Sequence, residues 1–254
     1  MIAPTIADRF HAAGITVLLY DPRSFGESDG VPREDVEPYK QMEDYSDAFT
    51  FLLSLPTVDP RCAGVWGISL SASTAACAGA LDARMQFVIA ISPPSSFSYS
   101  PESLRYILNT AAEDQGRRSS GKEPIYCPAL GSKGECLLEG MSCEEDYGFI
   151  LEYLKSCLSW TNRCTIQSFC RLLTFHPKEM LKRASPKSPL IIGGDRDMIS
   201  PVEDLLEIFH VLKQPKRWHL EKGKGHFDVH QGESCVKVQT DWIRSIKWNL
   251  DQEE

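Results

Sequence analysis

Val65-Trp66-Gly67-Ile68-Ser69-Leu70-Ser71 joins the end of a β-rich run to a segment rich in small residues, among them Ala72, Ala75, Ala76 and Ala80. A serine on a tight strand-to-helix turn needs small neighbours two positions away on each side, because the turn brings backbone atoms close together. Gly67 meets that need, and Ser71, standing where glycine is commonest, is still small. Such a turn exposes the hydroxyl and sets it at the positive N-terminal end of the helix. The strand–turn–helix context distinguishes a nucleophile from a structural turn, and Ser69 has that context.

Outward from this turn, short apolar runs alternate with helix-length amphipathic segments. That is the pattern of an α/β fold, a mostly parallel sheet with helices on both faces. Residues 3–13 are predicted to be a helix closing at Gly14, followed by a strand over Ile15–Tyr20. Met42, Tyr45, Phe49 and Leu52, spaced by three and four, predict an amphipathic helix over 39–54. Strands are expected near 62–66, 86–91, 189–193 and 216–220, and a last helix over 233–249. Ser200-Pro201-Val202-Glu203 reads as a capping box with proline at the first helical position. Between about 95 and 186 the rhythm breaks, with a polar loop near 113–137 and helices near 146–160 and 165–182. This stretch reads as a cap or lid inserted into a single domain spanning 1–254, lying over the C-terminal ends of the strands, where open α/β sheets bind ligands.

A serine hydroxyl is unreactive until a base removes its proton, and the base needs a third group to orient it. The chain order Ser…Asp…His predicts an acid after a later strand and a histidine after the last one. Gly194-Asp195-Arg196-Asp197 supplies the acid, with Asp197 preferred and Asp195 its rival. Gly225-His226-Phe227-Asp228 supplies the base: of six histidines, only His226 follows a glycine at such a strand-end turn, with His230 as the alternative.

Composition narrows the remaining possibilities. The 254 residues carry 27 Lys and Arg against 35 Asp and Glu, a net charge of −8 without a basic stripe, which argues against nucleic acid. No stretch is long and apolar enough to span a bilayer, and Met1-Ile2-Ala3-Pro4 does not open a secretory signal, so a cytoplasmic protein without membrane association is expected. Nine cysteines, an odd number without a C-x-x-C, read as thiols rather than disulfides or a metal site. Gly116-Arg117-Arg118-Ser119-Ser120-Gly121-Lys122-Glu123 imitates a phosphate loop but ends in Glu and follows no strand. No metal or organic cofactor is expected.

Tyr20-Asp21-Pro22-Arg23-Ser24-Phe25-Gly26-Glu27-Ser28-Asp29-Gly30, Gly67-Ile68-Ser69-Leu70-Ser71, Gly194-Asp195-Arg196-Asp197 and Gly225-His226-Phe227-Asp228 together resemble the α/β-hydrolase superfamily, in the right order and over nearly the whole chain. Residues 225–233 are similar to fungal secondary-metabolism hydrolases, namely the polyketide transferase and thiohydrolase group and the hydrolases of host-selective toxin pathways. The resemblance implies Ser69 as nucleophile, Asp197 as orienting acid, His226 as general base and Leu70 as an oxyanion donor. It implies an esterase or thioesterase working through an acyl-enzyme on a small-molecule acyl ester or thioester, or an acyltransferase handing the acyl group to an alcohol or a carrier. A carrier-bound acyl chain is a second form of substrate. Phe97, Tyr99, Tyr147, Phe149, Tyr153 and Trp160 would then line an acyl pocket or pack the lid.

One departure stands out. Superfamily members have strands before the first helix seen here, and the third ends in a His-Gly loop that donates the other oxyanion N–H. No His-Gly dipeptide occurs in this chain. Losing one donor costs about 10²–10³ in turnover, so a catalytically impaired homologue is a further reading. Ile15–Tyr20 reads as a central strand buried on both faces, yet its usual neighbour is missing. A sheet of at most five strands is expected, with the first loosely paired or set apart. A compensating homodimer, and an upstream sequence encoding a strand and His-Gly, follow from the same reading.

Overall fold

A computed structural model of the chain describes residues 2–129, 137 and 161–252. In chain order the elements are α1 (Ile2–Ala12), α2 (Pro38–Leu53), β1 (Val65–Ile68), α3 (Leu70–Leu81), β2 (Val88–Ile91), α4 (Pro101–Ser119), β3 (Tyr126–Cys127), β4 (Cys164–Thr165), α5 (Ile166–Thr174), α6 (Pro177–Arg183), β5 (Pro189–Gly194), α7 (Val202–Val211), β6 (Arg217–Glu221) and α8 (Glu233–Gln252). They fall into two compact units. One comprises Ile2–Leu19, Met42–Ser95 and the chain from Pro177 onward; the other comprises Tyr20–Gln41 and the described part of Ser96–His176.

The first unit is built on a four-stranded parallel sheet in the order β1-β2-β5-β6, with Val65 opposite Val88, Val88 opposite Pro189 and Leu190 opposite Arg217. β2 and β5 are buried along their whole length, the signature of parallel strands covered on both faces. Alternation then sends side chains to opposite sides. Ile89, Ile91, Leu190 and Ile192 join Ile6 and Phe10 of α1 and Cys235, Val238 and Ile243 of α8 in one apolar cluster. Burying each isoleucine contributes about 1.5–3 kcal/mol relative to leaving it exposed. The opposite face takes α3 and α7 at close range. A Cβ on Gly79 would stand 2.4 Å from Val88 Cγ2, and one on Gly193 would stand 2.3 Å from Leu205 Cδ1. Small residues in α3 are therefore what lets that helix lie flat on the strands. Among them, Cys77 is fully buried, which pushes its thiol up to about 12.

The second unit is laced by polar side chains across long sequence separations. The Arg171 guanidinium of α5 meets Asp35 at 2.8 Å and Glu37 at 2.7 Å. Ser168 Oγ accepts the Val36 N–H at 2.8 Å, and Arg163 pairs with Glu34 at 3.1 Å. Asp114 of α4, fully buried, accepts from the Ile125 N–H at 2.6 Å and from Gln167 Nε2 at 3.0 Å.

Several expectations are corrected. Ile15–Tyr20 is not a strand; the sheet consists of the other four expected strands, within the limit of five. Val17, Leu19 and Tyr20 are 36%, 48% and 39% exposed, so the segment is not buried on both faces. Apolar composition alone cannot make a strand; its N–H and C=O groups need a sheet ladder to join, and among the described residues the segment belongs to neither sheet. Ile15 anchors the segment by packing against the apolar cluster. The polar stretch from 113 to 119 continues α4, held by buried Asp114, so Gly116 of the phosphate-loop imitation lies inside a helix. The helix expected over 165–182 is two helices. Pro177 has no N–H to donate and disfavours helical backbone at the residue before it. The capping box does not form: α7 begins at Val202 without a side-chain cap. The helix expected near 146–160, together with Tyr147, Phe149, Tyr153 and Trp160, lies outside the described residues. Among the described residues no helix is long and apolar enough to cross a membrane.

The exposure of 15–20 makes a measurable difference. Val17→Ser should change unfolding free energy by less than about 0.5 kcal/mol, as at ordinary surface positions. Ile89→Ala should cost about 2–5 kcal/mol through the cavity it leaves. Urea unfolding of the two variants decides the matter; a cost of several kcal/mol at Val17 would place that segment in the core.

Candidate active site

The residues singled out from the sequence gather at the C-terminal ends of the strands of the first unit. Ser69 follows β1 directly and begins α3, with φ 57° and ψ −130°. Backbone held in so sparsely populated a region costs about 1–3 kcal/mol and persists only where its surroundings over-determine it. Here they do. The Ser69 N–H donates to the Ile91 carbonyl at the end of β2 at 2.9 Å, and its own carbonyl accepts from Ala72 at 2.9 Å and Ser73 at 3.2 Å. Gly67 is obligatory, because a Cβ there would stand 2.2 Å from the Ser71 carbonyl oxygen.

Serine at the start of a helix usually caps it, bonding its side-chain oxygen to a first-turn N–H. Ser69 makes no such bond. Its Oγ lies 2.8 Å from His226 Nε2 instead. On the far side of the ring, His226 Nδ1 lies 2.9 Å and 3.0 Å from the two carboxylate oxygens of Asp197. A carboxylate only accepts, so Nδ1 carries the proton and Nε2 presents its lone pair to the Ser69 hydroxyl; this tautomer follows from the partners. Both groups are shielded from water, His226 at 2% and Asp197 at 4% exposure. Asp197 is held in turn by the N–H groups of Ile199 at 2.9 Å and Ser200 at 2.7 Å. Leu70 is the first residue of α3, where amides have no acceptor within the helix, so its N–H is at hand for an external oxygen.

The rival residues have other partners. Asp195 accepts from the Gly223 N–H and fixes the turn that leads to His226. Arg196 N–H donates to the Lys224 carbonyl at 2.9 Å, and a Cβ on Gly194 would stand 2.2 Å from that same oxygen. Gly194 at the end of β5 thus lets the acid-bearing and base-bearing loops lie against each other. His230 makes none of the relay's bonds, and its buried Nδ1 has no hydrogen-bond partner among the described residues. Ser200 has the sequence pattern of a helix cap, but its hydroxyl donates to the Ser92 carbonyl at 3.0 Å, tying the Asp197 loop to the end of β2. Sequence reasoning missed that role, because a cap and a tertiary tie use the same residue type. Among the described residues no group of three His, Cys, Asp or Glu side chains is placed to hold a metal ion.

Burial, together with the Arg9 charge, pushes His230 down from its ordinary 6.5 to about 4. Between those values the unfolded chain binds a proton that the folded chain refuses. His230 therefore favours folding above pH 6.5, and this is lost as pH falls toward 4. The slope from this one group reaches at most about 1.4 kcal/mol per pH unit. Urea unfolding measured from pH 7 to pH 4 should show that loss in the wild type and a flatter profile in His230→Gln; identical profiles would contradict it.

No family model matches the chain. It is 35% identical over 251 residues to a thiohydrolase of Eupenicillium brefeldianum, covering 96% of this chain and 81% of that protein. It is 37% identical over 255 residues to the polyketide transferase claH of Penicillium crustosum, covering 96% and 82%. The crystal structure of the alpha/beta hydrolase GrgF from Penicillium sp. sh18 superposes with a TM-score of 0.85 at 31% identity, over 95% of this chain and 83% of that one. Relatedness of this degree over most of each sequence, on a parallel sheet flanked by helices, has one meaning: the chain belongs to the α/β-hydrolase superfamily, as an enzyme of the group that includes these fungal thiohydrolases and polyketide transferases.

Proposed function

We propose that the protein is a serine hydrolase of fungal secondary metabolism that cleaves a carboxylic ester or thioester through an acyl-enzyme. The observation that carries this reading is the unbroken relay from Ser69 Oγ to His226 at 2.8 Å and from His226 to Asp197 at 2.9 Å. Ser69 Oγ bonds to the acyl carbon while His226 Nε2 takes its proton, and Asp197 stabilises the imidazolium that results. The Leu70 N–H faces the developing oxyanion. As the tetrahedral adduct collapses, the bond from acyl carbon to the leaving oxygen or sulfur breaks, and Nε2 returns the proton to the leaving group. Water then repeats the sequence on the acyl-enzyme, releasing the acid and regenerating Ser69. Side chains and backbone supply every step, so no cofactor is needed. The stretch from about 95 to 186 is read as a cap or lid inserted into the domain.

Acyl transfer is the second reading, favoured by relatives named polyketide transferases. The same acyl-enzyme would then be attacked by an alcohol or a carrier thiol in place of water. Product analysis with and without an added alcohol separates the two.

Ser69→Ala should reduce turnover of a short-chain p-nitrophenyl ester by about 10⁶-fold, with His226→Ala nearly as damaging, because such residues act as a unit. Asp197→Asn should cost about 10⁴-fold, by leaving the imidazole in the wrong tautomer. A fluorophosphonate probe should modify Ser69, located by mass spectrometry of the labelled peptide. Substantial activity in Ser69→Ala would sink the assignment.

A further inference from the structure

Beneath the Ser69 turn the chain nearly touches itself. A Cβ on Gly67 would stand 2.2 Å from the Ser71 carbonyl oxygen and 2.7 Å from the Ala72 nitrogen. The crossing brings the carbonyls of Trp66, Ile68 and Ser71 into one small region. Carbonyl oxygens carry like partial charge, so they tolerate such crowding only when donors bridge them. Two hydroxyls do so. Ser71 Oγ donates to the Ile68 carbonyl at 2.7 Å and accepts the Ile68 N–H at 3.0 Å. The Tyr45 hydroxyl, reaching in from α2, lies 3.0 Å from the Trp66 carbonyl and 3.2 Å from the Ser71 carbonyl, and donates to the pair. Thr74 Oγ1 adds a contact of 3.1 Å to the Ser71 carbonyl from within α3.

We propose that Tyr45 and Ser71 are positioning residues, a two-hydroxyl brace joining the strand that enters the Ser69 turn to the helix that leaves it, and so aiming Ser69 Oγ at His226. The proposal rests on Ser69 being the nucleophile. Hydrogen bonds to Ile91, Ala72 and Ser73 hold the turn from the β2 side and from within α3. The brace holds the remaining side, where Gly67 and Ser71 cross. It also explains serine at position 71. Glycine would let the backbones approach but would leave the Ile68 N–H and carbonyl without the hydroxyl they now share. Burial pushes the Tyr45 phenol far up, so it remains a neutral donor across the working range of pH.

A displacement of about 1 Å at a reacting group can cost 10²-fold, and partial loosening of the turn should cost about ten-fold. The test is fluorophosphonate labelling of Ser69 at increasing probe concentration, well below the melting temperature of each protein. Tyr45→Phe and Ser71→Gly should each lower the limiting labelling rate by about ten-fold, with little change in the probe concentration for half-maximal rate. Ser71→Thr, which restores a hydroxyl, should recover most of the loss. A merely structural role would lower the melting temperature and leave the limiting rate of the folded fraction unchanged. Wild-type protein labelled at Ser69 with both variants within two-fold of it would overturn the brace alone. Wild-type protein that is not labelled at Ser69 would overturn the nucleophile assignment and the brace with it. If Tyr45→Phe does not fold, Ser71→Gly decides by the same criterion.

Discussion

At Ser69 the backbone is forced to φ 57° and ψ −130°, and the surrounding structure exists in large part to hold it there. A residue in that conformation cannot continue a strand or a helix, so it throws its side chain clear of both. It needs β2 alongside to accept its N–H and α3 beyond it to use its carbonyl. Those requirements fix β1 against β2 in parallel register and bring α3 down on the sheet at the distance that Gly67 and Gly79 permit. Parallel strands end on the same side. The loops after β1, β2, β5 and β6 therefore start within reach of one another, and Ser69, Ser92, Asp197 and His226 come from those four loops.

The relay was legible because each member sits beside a residue type with a geometric reason to be there. Gly67 precedes the serine where a Cβ would collide, Gly194 precedes the acid where a second loop presses in, and Gly225 precedes the histidine. Where one residue type serves two purposes, the sequence misleads. Ser200 has the pattern of a helix cap, yet its hydroxyl ties two loops together. Tyr45 falls in an apolar stripe at helical spacing, which hides a hydroxyl that meets two carbonyls of the turn. Ile15–Tyr20 has the composition of a buried strand, but composition says nothing of whether a ladder partner is present. The polar run after residue 112 looks like a loop until Asp114 is seen to be buried and bonded on both oxygens.

Glycine and serine solve the crowding at the turn by different means. Gly67 answers it with absence of volume, whereas Ser71 answers it with a donor and an acceptor placed among backbone groups that would otherwise lack partners. A hydroxyl there exchanges freedom of approach for direction. The backbone becomes dependent on the orientation of one rotor, which is a more specific constraint than mere smallness and a more fragile one.

The lacing of Asp35, Val36 and Glu37 to Ser168 and Arg171 has a consequence in time. These partners lie more than 130 residues apart in the chain. At about 5–20 residues per second, synthesis separates the appearance of the first group from that of the second by roughly 6 to 26 seconds. Throughout that interval Asp35 and Glu37 face water with their guanidinium partner still unmade, and the stretch around them cannot take its final form. The 20–41 segment is thus a late-folding piece encoded early. Through that interval a nascent chain would be open there to proteases and to the holdases that shelter unfinished proteins.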